Sequence, residues 1–191
     1  MHAADSEPFT QKLNRMVAGD AAAASELAPL LYGELHALAE RMMRSQASGH
    51  TLQPTALIHE AWMKLVGTSE GSVENRTHFA ALAARAMRSV LVDHARRKSA
   101  AKRGGGAERV ALDVAEDAVE KPAVDLLTLD QALTTLSAMD SELGRIVELR
   151  YFAGLTNDET AGVLGVSVPT IVRRWRVARM WLWNELNAAG S

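Results

Sequence analysis

The sequence contains no cysteine and few aromatic residues, and both shortages narrow the classes of protein that it can encode. Without cysteine the chain forms no disulfide and no Cys-based zinc site, and nothing in it favours an oxidising compartment. Aromatic residues account for 5% of the 191 residues, whereas hydrophobic residues reach 48% and charged residues 23%. Alanine, leucine, arginine and glutamate recur throughout, which is typical of a helical globular protein.

Long apolar segments and targeting signals are also lacking. Arg, Glu or His interrupts every apolar run, so we expect no segment to span a bilayer. The N-terminal residues MHAADSEPFTQK have no basic stretch followed by an apolar one, so we expect no signal peptide and a cytoplasmic protein without membrane contact. There is no glycine-rich phosphate loop, no cluster of carboxylates, and no second histidine at helical spacing from His59-Glu60. We therefore expect no enzyme, no metal site and no cofactor.

The formal net charge of −2 does not suggest a nucleic-acid partner, but the charges are unevenly distributed. Local clusters decide contact with phosphates, and cations at the end of a helix are also favourable without DNA. Two basic clusters occur, one formed by Arg96, Arg97, Lys98, Lys102 and Arg103 and the other by Arg173, Arg174, Arg176 and Arg179.

Hydrophobic periodicity predicts two helical regions with an irregular stretch between them. Apolar residues recur at helical spacing before and after a segment that contains Gly104-Gly105-Gly106 and no sustained period. In the first region we expect Asp20 to cap a helix and Pro54 to stand in the first turn of another. The expected buried stripes are Leu27, Leu31, Leu35, Leu38 and Met42 in the first region and Leu126, Leu129, Leu133 and Leu136 in the second. A compact domain rarely contains so long a structureless segment, so we predict an all-α protein of two small domains. The predicted boundaries are 8–98 for the first domain, 99–124 for a flexible linker, and 125–188 for the second domain.

The second region ends in a pattern typical of a helix-turn-helix, from about Thr156 to Leu186. Thr156 and Glu159 have the spacing of a capping box, and Gly165 stands where a left-handed residue ends a helix. Ser167 can then cap the next helix, which carries a proline in its first turn. The residues predicted to face the core from that helix are Ile171, Trp175, Ala178 and Leu182.

The opposite face of the same helix carries residues suited to duplex DNA. Arginine can donate two hydrogen bonds to O6 and N7 of guanine in the major groove, and groups at a helix N-terminus suit phosphate or base-edge contacts. A solvated basic face on an ordinary helix hairpin is the alternative interpretation. The predicted DNA-contacting residues are Ser167, Thr170, Arg173, Arg174 and Arg176.

Three motifs in this order resemble the extracytoplasmic-function (ECF) sigma factors, the smallest members of the bacterial sigma-70 family. ALIHEAWMKL (Ala56 to Leu65) is similar to their second conserved region, and MRSVLVDHARR (Met87 to Arg97) to their promoter-melting and −10 segment. LRYFAGLTNDETAGVLGVSVPTIVRRWRVARMWL is similar to their fourth region, which reads the −35 element. The resemblance covers nearly the whole chain.

The resemblance implies that core RNA polymerase and promoter DNA are the partners. The first domain would dock on the clamp helices of β′ and hold an unpaired −10 strand, while the second would bind −35 duplex and the β flap. The residues implied in docking are Gln53, Ile58, His59 and Glu60. A melting surface needs cations near stacking or pocket groups, and the residues expected to supply it are Asn75, Arg76, Phe79, Arg85, Arg88, Arg96 and Arg97.

One segment departs from the family pattern. Most members carry an acidic run just before the docking helix, but here Gln53, Pro54, Thr55 and Ala56 contain no carboxylate. Phosphorylation of Thr51 or Thr55 would restore roughly −1.5 to −2 units of charge at a helix N-terminus. The chain also resembles a sigma-factor subgroup activated by a Ser/Thr kinase, so we expect such a kinase as a partner. We prefer Thr51, because Thr55 is expected to share a face with Ile58.

Alternatives remain at this stage. Both threonines can be simple helix caps, with Glu60 carrying the docking contact. A stand-alone helix-turn-helix regulator would share only the second domain, and would bind palindromic sites as a dimer without polymerase. Whether an anti-sigma factor exists is left open.

Overall fold

The computed structural model describes residues 6–44, 52–66, 73–101, 109–111 and 123–188, and Thr51 lies outside them. Helices account for nearly all of these residues, so the predicted all-α class is confirmed. The elements are α1 (Ser6–Val17), α2 (Ala21–Arg44), α3 (Pro54–Val66), α4 (Arg76–Ala101), β1 (Arg109–Ala111), β2 (Ala123–Asp125), α5 (Leu126–Met139), α6 (Ser141–Val147), a π-helical turn (Glu148–Phe152), α7 (Asn157–Leu164) and α8 (Val168–Ala188).

Helices α1 to α4 form what we call the N-terminal unit. Asp20 begins α2 as predicted, since its carboxylate accepts hydrogen bonds from the amides of Ala22 and Ala23 at 2.9 and 3.1 Å. Helix α1 was not predicted as an element of its own, although its Leu13 and Met16 are fully buried. The predicted apolar stripe of α2 is confirmed as core, because each of its members is buried: Leu27, Leu31, Leu35, Leu38 and Met42.

Helices α5 to α8 form the C-terminal unit. The Asp125 carboxylate caps α5 at the Thr128 amide, and Asp140 caps α6 at the amides of Glu142 and Leu143. After α6 the backbone widens into the π-helical turn, which buries Leu149 and Phe152. The predicted stripe of α5 is confirmed as core and consists of Leu126, Leu129, Leu133 and Leu136.

The described parts of the expected linker have regular structure. Helix α4 continues to Ala101, three residues beyond the predicted boundary. Strands β1 and β2 pair antiparallel, with Arg109 opposite Asp125 and Ala111 opposite Ala123. The expectation of a flexible linker therefore does not describe these residues, and the remainder of 99–124 lies outside the described ranges.

The two units pack against each other. Helix α4 contacts α5 and the π-helical turn, and one hydrophobic cluster includes buried residues of both units, such as Leu91 and Phe152. Within the described ranges, no helix is long and apolar enough to cross a membrane.

Candidate nucleic-acid interface

Helices α7 and α8 are joined by a tight turn whose local chemistry follows the predicted pattern. The Thr156 hydroxyl accepts a hydrogen bond from the Glu159 amide at 3.2 Å, and the Glu159 carboxylate accepts one from the Thr156 amide at 2.8 Å, which completes the capping box. Gly165 ends α7 in the left-handed region at φ 66°. The predicted helix-turn-helix is therefore present in the backbone.

One face of α8 is fixed by apolar packing. Ile171, Ala178 and Leu182 are buried, and Ile171 packs with Ile146 of α6 and Ala161 of α7. Because α6 and α7 cover this face, the opposite face is left to solvent.

Trp175 is half-buried and lies close to two guanidinium groups. The Cζ atoms of Arg150 and Arg179 lie 5.4 and 5.9 Å from its ring centroid, which is within cation–π range. Trp175 is thus a packing anchor, as predicted for the core face of α8.

The exposed face of α8 presents two of the predicted arginines. Arg173 and Arg176 are exposed, and within the described part of the chain neither guanidinium forms an ion pair or a hydrogen bond. At the start of the helix, the hydroxyls of Ser167 and Thr170 lie 2.9 Å apart. Cationic side chains and hydroxyls therefore converge on the N-terminal half of α8, where a recognition helix contacts base edges and phosphates.

Arg174 departs from its predicted role. Its Nη1 atom lies 3.2 Å from Glu142 and 3.6 Å from Asp140, and its side chain is only 33% exposed. Since Asp140 also caps α6, these two ion pairs connect α8 to the start of α6. We correct the prediction accordingly: in this conformation Arg174 is a packing and pairing residue rather than a reader of DNA.

The start of α4 holds the second group of predicted residues. Asn75 caps the helix, because its side-chain oxygen accepts a hydrogen bond from the His78 amide at 2.8 Å. Arg76 forms an ion pair with Glu34, and its Cζ lies 5.4 Å from the centroid of the Phe9 ring. Phe79 is 1% exposed and belongs to the core, so the prediction that it could stack on a base is wrong for this conformation.

The remaining arginines of α4 differ in their surroundings. Arg85 is exposed, and Arg97 lies 3.8 Å from the Glu60 carboxylate on α3. Arg88 and Arg96 both form ion pairs with Asp130 of α5. Two of the predicted melting residues are therefore occupied by the C-terminal unit.

Three of the four predicted docking residues lie on α3, which begins at Pro54 as expected, and Gln53 immediately precedes it. Gln53, His59 and Glu60 are exposed, whereas Ile58 is 7% exposed and packs in the core. The prediction that Ile58 contacts polymerase is therefore not compatible with this packing. Thr55 is exposed in the first turn of α3, and this turn contains no acidic residue.

Sequence reasoning missed a side chain that holds the segment before α4. Asn14 of α1 donates a hydrogen bond from Nδ2 to the Val73 carbonyl at 3.0 Å, and its Oδ1 accepts one from the Val73 amide at 2.5 Å. The two residues are 59 positions apart, and no local pattern marks an asparagine as the partner of a distant backbone group. Across the described ranges, no group of three or more potential metal ligands occurs.

A helical unit followed by a helix-turn-helix with exposed arginines is the arrangement of a DNA-binding transcription protein. The ECF sigma factor family model matches residues 6–188, so the chain belongs to the ECF sigma factor family. Members of this family are transcription regulators that direct initiation, with RNA polymerase core and promoter DNA as partners. Comparison with curated individual proteins gives no match.

Proposed function

We propose that this sigma factor reads −35 duplex with α8, holds the −10 strand near the start of α4, and docks on the β′ clamp helices through α3. The exposed pair Arg173 and Arg176 on α8 carries this proposal. A helix fits the major groove, and arginines on its outer face can reach guanine edges or phosphates there. Ser167 and Thr170 lie at the helix N-terminus, where they can contact the phosphate backbone. The C-terminal unit would also bind the β flap.

The −10 surface is proposed to consist of Asn75, Arg76, Arg85 and Arg97, joined by Arg88 and Arg96 when these are released. Asn75 and Arg76 lie where the chain enters α4, and Asn14 holds the backbone just before them. Cations beside an unpaired strand attract its phosphates and so stabilise the strand in the separated state. Because Phe79 is buried, it cannot stack on an unpaired base in this conformation. The exposed polar start of α4, which is nearest in sequence, would contact the unpaired base instead.

Docking is proposed to depend on charge at the start of α3. Gln53, His59 and Glu60 are exposed there, but the first turn lacks the acidic residues that the family uses. We propose that a Ser/Thr kinase supplies this charge at Thr55 or Thr51. Thr51 was preferred because Thr55 was expected to be covered beside Ile58. Thr55 is exposed, so this reason for preferring Thr51 no longer holds. A phosphate at Thr55 would lie in the first turn, where the helix dipole favours an anion.

Transcription from a randomised promoter library tests the proposed function. DNA randomised over the −35 and −10 elements is transcribed by core RNA polymerase alone and by core with this chain added, as the unmodified protein and as Thr51→Glu and Thr55→Glu, and the transcripts are sequenced. We expect transcripts with defined sequences at both elements only when the chain is present. A stand-alone regulator would instead bind palindromic duplex as a dimer without core and would leave the transcript pool unchanged.

A further inference from the structure

We infer that four side chains form an electrostatic latch between the units, which covers part of the basic face of α4 until polymerase and promoter separate the units. The latch consists of Arg88 and Arg96 on α4, Asp130 on α5, and Glu148 in the π-helical turn. This inference rests on the proposed function of α4 as the −10 surface. While the latch is closed, Arg88 is largely covered by the C-terminal unit and Arg96 is paired with Asp130, so both are less available to DNA phosphates.

Arg88 lies at the centre of the latch and contacts two carboxylates at once. Its Nη1 lies 3.2 Å from Asp130 Oδ1 and its Nη2 lies 2.8 Å from Glu148 Oε1. The side chains of Arg88 and Asp130 are both 18% exposed, so solvent and salt screen this contact less than a surface pair. Arg96 adds a third contact, from its Nη2 to Asp130 Oδ2 at 3.2 Å, and is mostly exposed.

The guanidinium of Arg88 is also held by an aromatic ring of the other unit. Its Cζ lies 5.5 Å from the ring centroid of Phe152, which is buried in the π-helical turn. Yet Arg88 Nε is buried and has no hydrogen-bond partner among the described residues. An unsatisfied buried donor opposes burial, so the contact is weaker than a fully bonded arginine would make it. That is suited to a latch that has to open.

A second attachment lies beside the first. Arg41 of α2 donates a hydrogen bond to the Ala153 carbonyl, just after the π-helical turn. Gly154 follows in the left-handed region at φ 69°, and a Cβ atom there would overlap the Arg41 guanidinium. A residue with a Cβ atom would therefore have to displace the Arg41 guanidinium and adopt a strained backbone conformation.

The latch covers the two DNA surfaces unequally. Arg88 and Arg96 are occupied on α4, whereas Arg173 and Arg176 on α8 remain exposed. The closed chain can therefore approach −35 duplex but presents a weakened −10 surface. Docking of the N-terminal unit on polymerase and binding of the C-terminal unit at −35 would separate the partners and release both arginines.

Distance measurement between spin labels tests whether these charges hold the units together. Because the chain has no cysteine, Met63→Cys on α3 and Met139→Cys on α5 provide two unique labelling sites, and both side chains are exposed. The distance between the two labels is measured in three proteins: the otherwise unchanged chain, the latch variant Asp130→Asn/Glu148→Gln, and the control Glu40→Gln/Glu185→Gln. The last variant removes the same two charges from exposed positions outside the latch.

We expect a single narrow distance distribution in the unchanged chain and in the charge-matched control. Asp130→Asn/Glu148→Gln should add a broad population at longer distance. The same distribution in all three proteins would overturn the latch. Gly154→Ala gives a second variant, because it displaces Arg41, and Gly165→Ala is its control, since a Cβ there meets nothing within 4 Å. Only Gly154→Ala should lengthen the distance.

Binding of single-stranded DNA tests whether the latch covers a DNA surface. The probe is a fluorescein-labelled oligonucleotide of about 20 nucleotides and mixed sequence, long enough for one binding groove. If the binding-competent form is a minor population, the latch variant should bind about tenfold more tightly than the unchanged chain, because affinity scales with that population. The charge-matched control should change far less.

Separated units with unchanged oligonucleotide binding would contradict the proposed covering of a DNA surface. Failure of every variant to bind the oligonucleotide, with the distance change present, would instead contradict the −10 role of α4 and leave the latch itself supported. The two proposals can therefore fail separately.

Discussion

Two neighbouring arginines on α8 occupy different environments. Arg173 is exposed, whereas Arg174 lies against Glu142 and Asp140. Arg173→Ala should therefore weaken binding of the polymerase complex to −35 duplex by about 1–3 kcal/mol, the usual loss for one base contact. Arg174→Ala should leave this affinity nearly unchanged and lower the free energy of unfolding by only ~0.2–1 kcal/mol, because the pair is partly solvated. Fluorescence anisotropy and thermal unfolding measure the two quantities.

Equal losses of duplex affinity in Arg173→Ala and Arg174→Ala would show that both side chains read DNA. This would contradict the assignment of Arg174 to ion pairs within the C-terminal unit. The sequence alone could not separate them. Helical periodicity gives the angle at which each side chain leaves α8, but not the carboxylates of α6 that one of them meets.

Asp20 gives a pH-dependent test of the start of α2. The hydrogen bond from the Ala23 amide, then the one from Arg15, lowers the pKa of Asp20 below its ordinary value of 3.8. A lowered pKa means that the ionised carboxylate stabilises the fold above the ordinary value and loses this effect as the pH falls through the lowered one. Asp20→Asn should therefore lower the melting temperature near pH 7, and the difference should shrink at about pH 3. Circular dichroism at both pH values checks this, and a constant difference would contradict it.

At the scale of elements, the turn between α7 and α8 depends on backbone conformation alone. Gly165 has φ 66°, and a Cβ there would meet no atom within 4 Å. Gly165→Ala should therefore lower the free energy of unfolding by about 1–2 kcal/mol, the price of a left-handed conformation for an L-residue. Chemical denaturation measures it. No loss of stability would mean that the turn relaxes to another conformation, and weakened −35 binding would then be expected instead.

Helix α3 carries the prediction on regulation. Thr55→Glu and Thr51→Glu should raise the affinity for core RNA polymerase, and the corresponding alanine variants should not, because a negative charge at the helix N-terminus replaces the missing acidic run. Binding of each variant to immobilised core RNA polymerase measures this affinity. Thr68→Glu, which lies outside α3, is the charge control. Equal binding by the glutamate and alanine series would exclude a phosphorylation switch at these positions.

The elements differ in how far the sequence predicted them. The capping box at Thr156, the left-handed Gly165 and the proline at the start of α3 are local signals, and the structure bears out each of them. Helix α1 was missed although Phe9, Leu13, Met16 and Val17 recur at helical spacing, and the π-helical turn was missed because its apolar residues fit an ordinary helix equally well. Buried positions such as Phe79 were assigned to function because their chemical type suited DNA, whereas burial depends on the packing of several helices.

At the scale of the whole molecule, the sequence predicted two helical regions but not the contact between them. Arg88 and Asp130 are 42 positions apart, and Arg88 and Glu148 are 60 apart, so no spacing rule relates them. The family match over residues 6–188 gives no information on how the two regions pack. Which arginines are occupied depends on the tertiary packing of the two units, which no local pattern encodes.

The most direct test of the whole proposal is a footprint of strand opening on a promoter taken from the library. Permanganate reactivity of −10 thymines and nuclease protection of the −35 element are measured with core polymerase, with this chain, and with both. With both proteins present we predict reactive thymines together with −35 protection, and with either protein alone we predict unreactive thymines. Protection of −35 by the chain alone, with unreactive thymines in all three samples, would contradict the proposal that α4 holds the −10 strand while α8 reads −35 duplex.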